Sequence, residues 1–252
     1  MLKNINLGRF NLYFRENTSD IYIFNEIINM KTYKIPENMK LNGLIDIGAH
    51  IGIFSLYFLN LFPETKIFAF EPSPDNYNML QLNLSVNNLQ QKVIAYEAGL
   101  YTGIGIKYLK PTPWHHNDMI YKINPHPESS DLRVPIAVLD FNCIKKLSEN
   151  CDCLKMDIEG AEWDILPLVE DKLLEDFKVI LMECHKNTGE AQLFIDRLKI
   201  LGFKVSYEGS LTEGTVISAF KEIKRENIKI EEPVKLVRET NEEVKGSDDK
   251  SE

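Results

Sequence analysis

The sequence predicts an α/β fold built on a mostly parallel sheet, and three observations carry that prediction. Leu44 to Gly52, read Leu-Ile-Asp-Ile-Gly-Ala-His-Ile-Gly, brings an apolar run into a glycine turn and out into an apolar segment ending near Phe62, the outline of strand, turn and helix. A second run, Lys66 to Phe70, closes on Glu71 and Pro72-Ser73-Pro74, and is followed by a helical pattern and a third strand, Lys92 to Glu97. Further on, Cys153 to Met156 and Val179 to Met182 are apolar runs that again meet an acidic residue, Asp157 and Glu183. Strands alternating with helices in this way form right-handed parallel units.

Taken in order, residues 1–40 precede the first strand. Phe10, Leu12 and Phe14 alternate as in a strand, and a helix is expected from Ser19 or Asp20 to Met30, with Ile23, Ile27 and Met30 on its buried face. After Glu71, the segment Asp75 to Asn87 repeats apolar residues at helical spacing, with Pro74 suited to its first turn. Gly99 to Leu109 is expected to form a hairpin edge around Gly103 and Gly105. Lys110 to Asp131 has no periodicity, and a loop of that length in a compact domain draws attention as a functional element. Its Trp114, His115, His116 and Asn117 are candidates to line a substrate pocket.

A strand at Val134 to Val138 and a helix at Asp140 to Leu147 lead to the buried strand at Cys153. A helix after Gly160 is expected to break near Pro167. Thr188 to Leu201 is amphipathic and closed by Gly202, and Phe203 to Tyr207 and Thr215 to Phe220 are close enough in sequence to pair antiparallel. From residue 223 the chain is dominated by Glu, Lys, Asp and Ser and reads as a disordered charged tail. The expected organisation is a cap segment at 1–40, a ligand-binding domain at 41–222 and a tail at 223–252.

Lys and Arg total 29 against 38 for Asp and Glu, a net charge of −9, so electrostatic capture of nucleic acid has no general support. No apolar run reaches the roughly 20 residues that span a bilayer, and Lys3, Asn4, Asn6 and Arg9 interrupt any signal-peptide core. A cytoplasmic location is expected. The four cysteines include no C-x-x-C pair and read as reduced, buried side chains.

The glycine turn points to a ligand class. Gly48 and Gly52 carry no Cβ and let the backbone turn and approach a ligand closely. The spacing is G-x-x-x-G rather than the G-x-G-x-x-G of dinucleotide sites, and Asp46 just before it would repel a pyrophosphate. A carboxylate suits a cationic ligand, and S-adenosylmethionine carries a sulfonium and an ammonium. Glu71, at the end of the adjacent strand, fits the acid that accepts hydrogen bonds from ribose hydroxyls. Asp46, Gly48, His50, Gly52, Glu71, Pro72 and Ser73 are therefore the candidate donor-binding residues.

The stretches DIGAHIGIFSLYF, FAFEPSPDNYNMLQLN, VPIAVLDFN, CLKMDIEGAEWDIL and VILMECH, in that order, resemble the FkbM-type family of S-adenosylmethionine-dependent methyltransferases from about Thr18 to His185. The run Lys155 to Glu162, KMDIEGAE, is the most specific piece. The resemblance implies a class I methyltransferase (Rossmann-like) architecture, a seven-stranded, mostly parallel sheet with the last strand antiparallel. It also implies methyl transfer to oxygen, on a hydroxyl of a sugar, glycan or small natural-product acceptor.

For the chemistry, Asp157, Glu159 and His185 are the candidate catalytic residues. Asp157 is expected beside the methyl donor as base or metal ligand, Glu159 to hold the turn or the donor's amino end, and His185 to act as a neutral general base. No metal site is assigned, and the alternative is a divalent cation on Asp157, Glu183 and His185. The rival functions are an RNA methyltransferase on the same fold, disfavoured by the net acidity, a dinucleotide-dependent oxidoreductase, disfavoured by the glycine spacing, and a non-catalytic donor-binding module.

Overall fold

The computed structural model describes residues 1–36, 39–110, 119–121, 133–186 and 189–221. The pocket candidates Trp114, His115, His116 and Asn117 and the charged tail lie outside the described residues. Residues 1–222 form one compact unit, so the segment before residue 41 packs with the sheet rather than apart from it.

A hairpin of β1 (Leu2–Leu7) and β2 (Phe10–Arg15) leads into α1 (Asp20–Phe24), which widens into a π-helical turn over Asn25–Asn29. The wider turn shifts the face that the sequence spacing predicts. Ile27 is buried, but Met30 is 72% exposed. Then β3 (Gly43–Ile47), α2 (Ile53–Leu61), β4 (Lys66–Phe70), α3 (Pro74–Val86) and β5 (Val93–Tyr96) follow as expected.

The next part departs from expectation. Strands β6 (Gly99–Leu100), β7 (Gly105–Lys110), β8 (Met119–Tyr121) and β9 (Val134–Leu139) make a separate four-stranded sheet in the order β6-β9-β7-β8. Gly99 to Leu109 is therefore no hairpin, because β9 lies between β6 and β7, parallel to the first and antiparallel to the second. That pairing is made by residues some thirty positions away, beyond the reach of local glycine signals.

The chain returns through α4 (Phe141–Leu147), capped by Asp140, whose carboxylate accepts from the Cys143 N–H at 2.7 Å. It continues through β10 (Cys153–Met156) and α5 (Glu162–Ile165), then a 3₁₀ turn at Leu166–Leu168 where Pro167 breaks the helix. After α6 (Asp171–Glu175) come β11 (Val179–His185), α7 (Glu190–Ile200), β12 (Phe203–Ser210) and β13 (Gly214–Lys221).

The main sheet has seven strands in the order β12-β13-β11-β10-β3-β4-β5. The run β11-β10-β3-β4-β5 is parallel, and β13 enters antiparallel between β11 and β12. Each face carries its own core. Ile45, Ile47, Phe70, Leu154 and Met156 point to one side, and Leu44, Ile67, Ala69, Cys153 and Leu181 point to the other, under α2 and α3. Strands buried on both faces explain why these runs read as continuous hydrophobic stretches. No helix among the described residues is long and apolar enough to cross a membrane.

Two features fix the strand ends. Gly48, at φ +76°, crosses so close to β10 that a Cβ there would stand 1.8 Å from the carbonyl oxygen of Asp157. The amino-terminal hairpin is tied to the glycine turn. Arg15 forks onto Asp20 and donates to Asn76 Oδ1 at 2.7 Å, while the buried Asn83 donates to the Ile51 carbonyl at 2.8 Å and to the Tyr13 carbonyl at 3.0 Å. Burial opposes ionisation of Asp20, but the Arg15 guanidinium outweighs it and holds the carboxyl below its usual range.

Replacing Arg15 by Ala leaves the buried Asp20 without its guanidinium partner, with His50 and the residue-15 N–H beside it. A urea-unfolding midpoint lowered by the equivalent of about 3–5 kcal/mol is expected. Because the Asp20 pKa is depressed on folding, the pair's contribution is present above the ordinary carboxylate range and fades on acidification, so wild type and Arg15→Ala should converge in stability at low pH. Gly48→Ala should cost about 3 kcal/mol on the same assay, since the strand tips must part to admit the methyl group.

Candidate active site

Beyond the carboxyl ends of β3, β4, β10 and β11 lies a cavity of about 480 Å³. In an open parallel sheet this is where ligands bind. Its walls include Gly48, His50, Glu71 and Pro72 from the glycine turn and the end of β4, Asp157 and Glu159 after β10, and Glu183 and His185 on β11. Eight of the predicted site residues therefore meet at one rim. Asp46, Gly52 and Ser73 stand behind it, each for a different reason.

Asp46 is the clearest correction. It is fully buried inside β3 rather than beyond its end, and its register partner on β10 is Lys155. The ammonium of Lys155 lies 3.6 Å from Asp46 Oδ1 and 3.9 Å from Asp157 Oδ2, and it donates to the Gly48 carbonyl at 2.7 Å. The Ser55 hydroxyl donates to Asp46 Oδ2 at 2.7 Å. Burial pushes the Asp46 carboxyl up against the pull of Lys155, while Lys155, surrounded by Asp46, Asp157, Glu183 and Glu71, stays charged with its pKa raised despite its own burial. The carboxylate expected to face a cationic ligand answers a lysine instead. Gly52 caps α2 at φ +90°, and a Cβ there would meet the Leu80 side chain at 2.7 Å, so its role is helix packing. Ser73 contributes its N–H to Glu71.

Glu71 sits where the sequence places it. Its Oε1 accepts from the Ser73 N–H at 2.9 Å and its Oε2 from the His50 N–H at 2.7 Å. Burial dominates these bonds and pushes its pKa up to about 7. Each oxygen keeps a second lone pair for a hydroxyl donor. His50 occupies the left-handed region at φ +53°, and its Nε2 is 3.5 Å from Asp20 Oδ1, which links the turn to the amino-terminal segment.

At the other side, His185 lies between two carboxylates. Nε2 is 3.1 Å from Glu159 Oε2 and Nδ1 is 3.0 Å from Glu162 Oε1. Burial disfavours its charge, but these two hydrogen bonds outweigh burial and push its pKa up to about 11. With both nitrogens so engaged His185 is an imidazolium near neutral pH, not the neutral base expected from sequence. Glu183 is raised to about 8, first by the nearby Asp157 charge and then by burial. Glu159 is also raised, chiefly by burial, and holds a left-handed backbone at φ +55°.

Sequence reasoning missed Lys155, Glu162 and Tyr33. The first two were in view, because they bound the KMDIEGAE run, and a lysine in the middle of a fully apolar strand is itself a signal of a buried partner. Tyr33, buried beside the cavity, is brought there by the amino-terminal segment and has no local signature.

Comparison with known proteins agrees with this geometry. Residues 46–208 match the Methyltransferase FkbM domain. The chain is 27% identical over 230 residues to Methyltransferase sdnD of Sordaria araneosa, covering 80% of this chain and 89% of that protein. It is 26% identical over 205 residues to Methyltransferase 1 of Beauveria bassiana, covering 74% and 82% respectively. Among solved structures, Methyltransferase FkbM from Methylobacillus flagellatus KT superposes with a TM-score of 0.51 at 14% identity. The match covers 77% of this chain and 47% of that one, a likeness of fold. With its glycine turn, acidic strand ends and seven-stranded sheet, the chain belongs to the FkbM family of methyltransferases.

Proposed function

We propose that this methyltransferase uses S-adenosylmethionine to methylate a hydroxyl of a sugar, glycan or small natural-product acceptor. The observation that carries the donor assignment is Glu71. Its carboxylate is buried at the cavity wall, is pinned by two backbone N–H groups and retains acceptor capacity toward a ribose diol. The Gly48 backbone, held by Lys155, gives the donor's amino-acid end a close approach. The donor's positive charge is complemented by Asp157, Glu159 and Glu183 on the same cavity, not by Asp46.

The donor supplies a methyl group on a sulfonium, and as it passes to the acceptor oxygen the C–S electron pair returns to sulfur. What the chain contributes is placement and proton removal. Asp157 and Glu183, at the ends of neighbouring strands, face the acceptor's hydroxyls; Asp157 accepts from them, and Glu183, pushed up to about 8, accepts in its ionised form. Glu183 takes the proton of the reacting hydroxyl, since Asp157 already faces Lys155. His185, protonated between Glu159 and Glu162, holds that turn in shape. A second groove of about 600 Å³, lined by Tyr57, Phe62 and Pro36, shares Tyr33 with the first cavity and offers room for the body of the acceptor.

Calorimetry with S-adenosylhomocysteine tests the donor site directly. Glu71→Gln should weaken binding about tenfold or more, the scale of hydrogen bonds to a charged group. Ionised Glu71 accepts the ribose hydroxyls, so affinity should strengthen as pH rises through about 7 and the pH dependence should flatten in Glu71→Gln. No affinity in folded wild-type protein would end this reading. Glu183→Gln should lower kcat by about 10²–10⁴ while leaving S-adenosylhomocysteine affinity within a few fold, and an unchanged kcat would remove Glu183 from the chemistry.

A further inference from the structure

The rim beyond Asp157 carries a set of ligands that donor binding does not need. One carboxylate oxygen each of Asp157 and Glu159 and one ring nitrogen of His185 lie within 4.8 Å of one another. His185 Nε2 and Glu159 Oε2 are 3.1 Å apart. Neighbouring ligands of an octahedral ion bound at about 2.1 Å stand about 3 Å apart, so this spacing accepts a cation without moving the imidazole. Asp157 and Glu159 are on a solvent-reachable rim, with side chains 26% and 21% exposed, which leaves freedom to close the wider spacings.

The second nitrogen supplies independent support. His185 Nδ1 is held at 3.0 Å by Glu162 Oε1, on a side chain with no exposed surface. That oxygen also receives the N–H groups of Ile158 at 3.4 Å and Gly160 at 3.3 Å, so Glu162 is built into the turn that carries Asp157 and Glu159. A metal-bound histidine gives its other N–H to such a carboxylate, which fixes its tautomer and ring plane. Asp157 Oδ1 is buried and accepts no hydrogen bond among the described residues. Three carboxylates of this wall, Asp157, Glu159 and Glu183, face one imidazole and one lysine already shared with Asp46.

We propose that Asp157, Glu159 and His185 bind one divalent cation of the Mn²⁺ and Mg²⁺ class, with Glu162 as the residue that positions His185. The cation takes the place of the proton that Nε2 shares with Glu159. A single imidazole among carboxylates favours such oxygen-preferring ions over the thiolate-preferring ones. The binding site stands on these ligands alone. Its use rests on the methyl-transfer reading, in which the cation accepts the acceptor's hydroxyl oxygen as a further ligand and lowers its pKa, and the proton leaves to Glu183.

The test uses full-length protein, stripped with chelator and checked for folding by circular dichroism, then titrated with Mn²⁺ while the paramagnetic resonance signal of the free ion is followed. One Mn²⁺ per chain is expected, with a rise in Tm. Affinity should fall at least tenfold in Glu159→Gln and in His185→Gln, and by about 10–100-fold in Glu162→Gln. All three ligands are partly exposed, and circular dichroism of each variant separates ligand loss from misfolding. Absence of stoichiometric Mn²⁺ binding to the folded wild type, or wild-type affinity retained in the Glu159→Gln and His185→Gln proteins, overturns the site. S-adenosylhomocysteine titrated in parallel separates the two readings. Donor binding without Mn²⁺ binding removes the cation and leaves methyl transfer, and the reverse keeps the cation and removes the donor assignment.

Discussion

The cavity depends on one buried ion pair. Lys155 and Asp46 face each other across β10 and β3, among the apolar Leu44, Ala69, Cys153 and Leu181 of that face of the sheet. Two charges in such a place persist only when each answers the other and the remaining hydrogen-bonding capacity is used. The Ser55 hydroxyl and the Gly48 carbonyl use it. The lysine thereby reaches from the centre of one strand to the turn that follows its neighbour, so the tips of β3 and β10 hold their separation and the glycine turn keeps its shape.

From that anchor the two halves of the rim acquire opposite tasks. At the glycine turn and the end of β4 the acid is held by backbone. Glu71 is locked by the N–H groups of His50 and Ser73, and His50 is tied to Asp20 and through it to Arg15. In the proposed reading this rigid carboxylate is what meets the donor's ribose diol. Beyond β10 and β11, carboxylates crowd around the His185 imidazolium, which answers Glu159 and Glu162, while the Asp157 charge pushes Glu183 up. A sulfonium brings one positive charge, and a divalent cation brings more.

The amino-terminal segment has a structural task that its position before the sheet conceals. Asn83 joins β2 to the carbonyl of Ile51 inside the glycine turn, and Arg15 joins α1 to Asn76 on α3. Tyr33 then closes the cavity from the same segment. Residues 1–36 thus pack into the same core as α2 and α3 and supply part of the cavity wall.

The sequence by itself determined the alternation of strands and helices, the glycine turn and the acid after β4, because these depend on short-range patterns: apolar runs of strand length, a Pro at a helix start and residues whose backbone must turn. Glu71, Asp157, Glu159, Glu183 and His185 were all recognisable as lying at strand ends. Only the tertiary structure decided what each charge faces. Asp46 was assigned to a ligand because the run Gly43–Ile47 does not reveal that Lys155, more than a hundred residues later, is its register partner. The sequence predicts a neutral His185 because its two carboxylate partners lie on a turn after another strand. The second sheet escaped for the same reason, since β9 inserts between β6 and β7 from a distance. Local sequence sets backbone geometry, while the protonation and purpose of a buried charge are set by neighbours that only folding brings within a few ångströms.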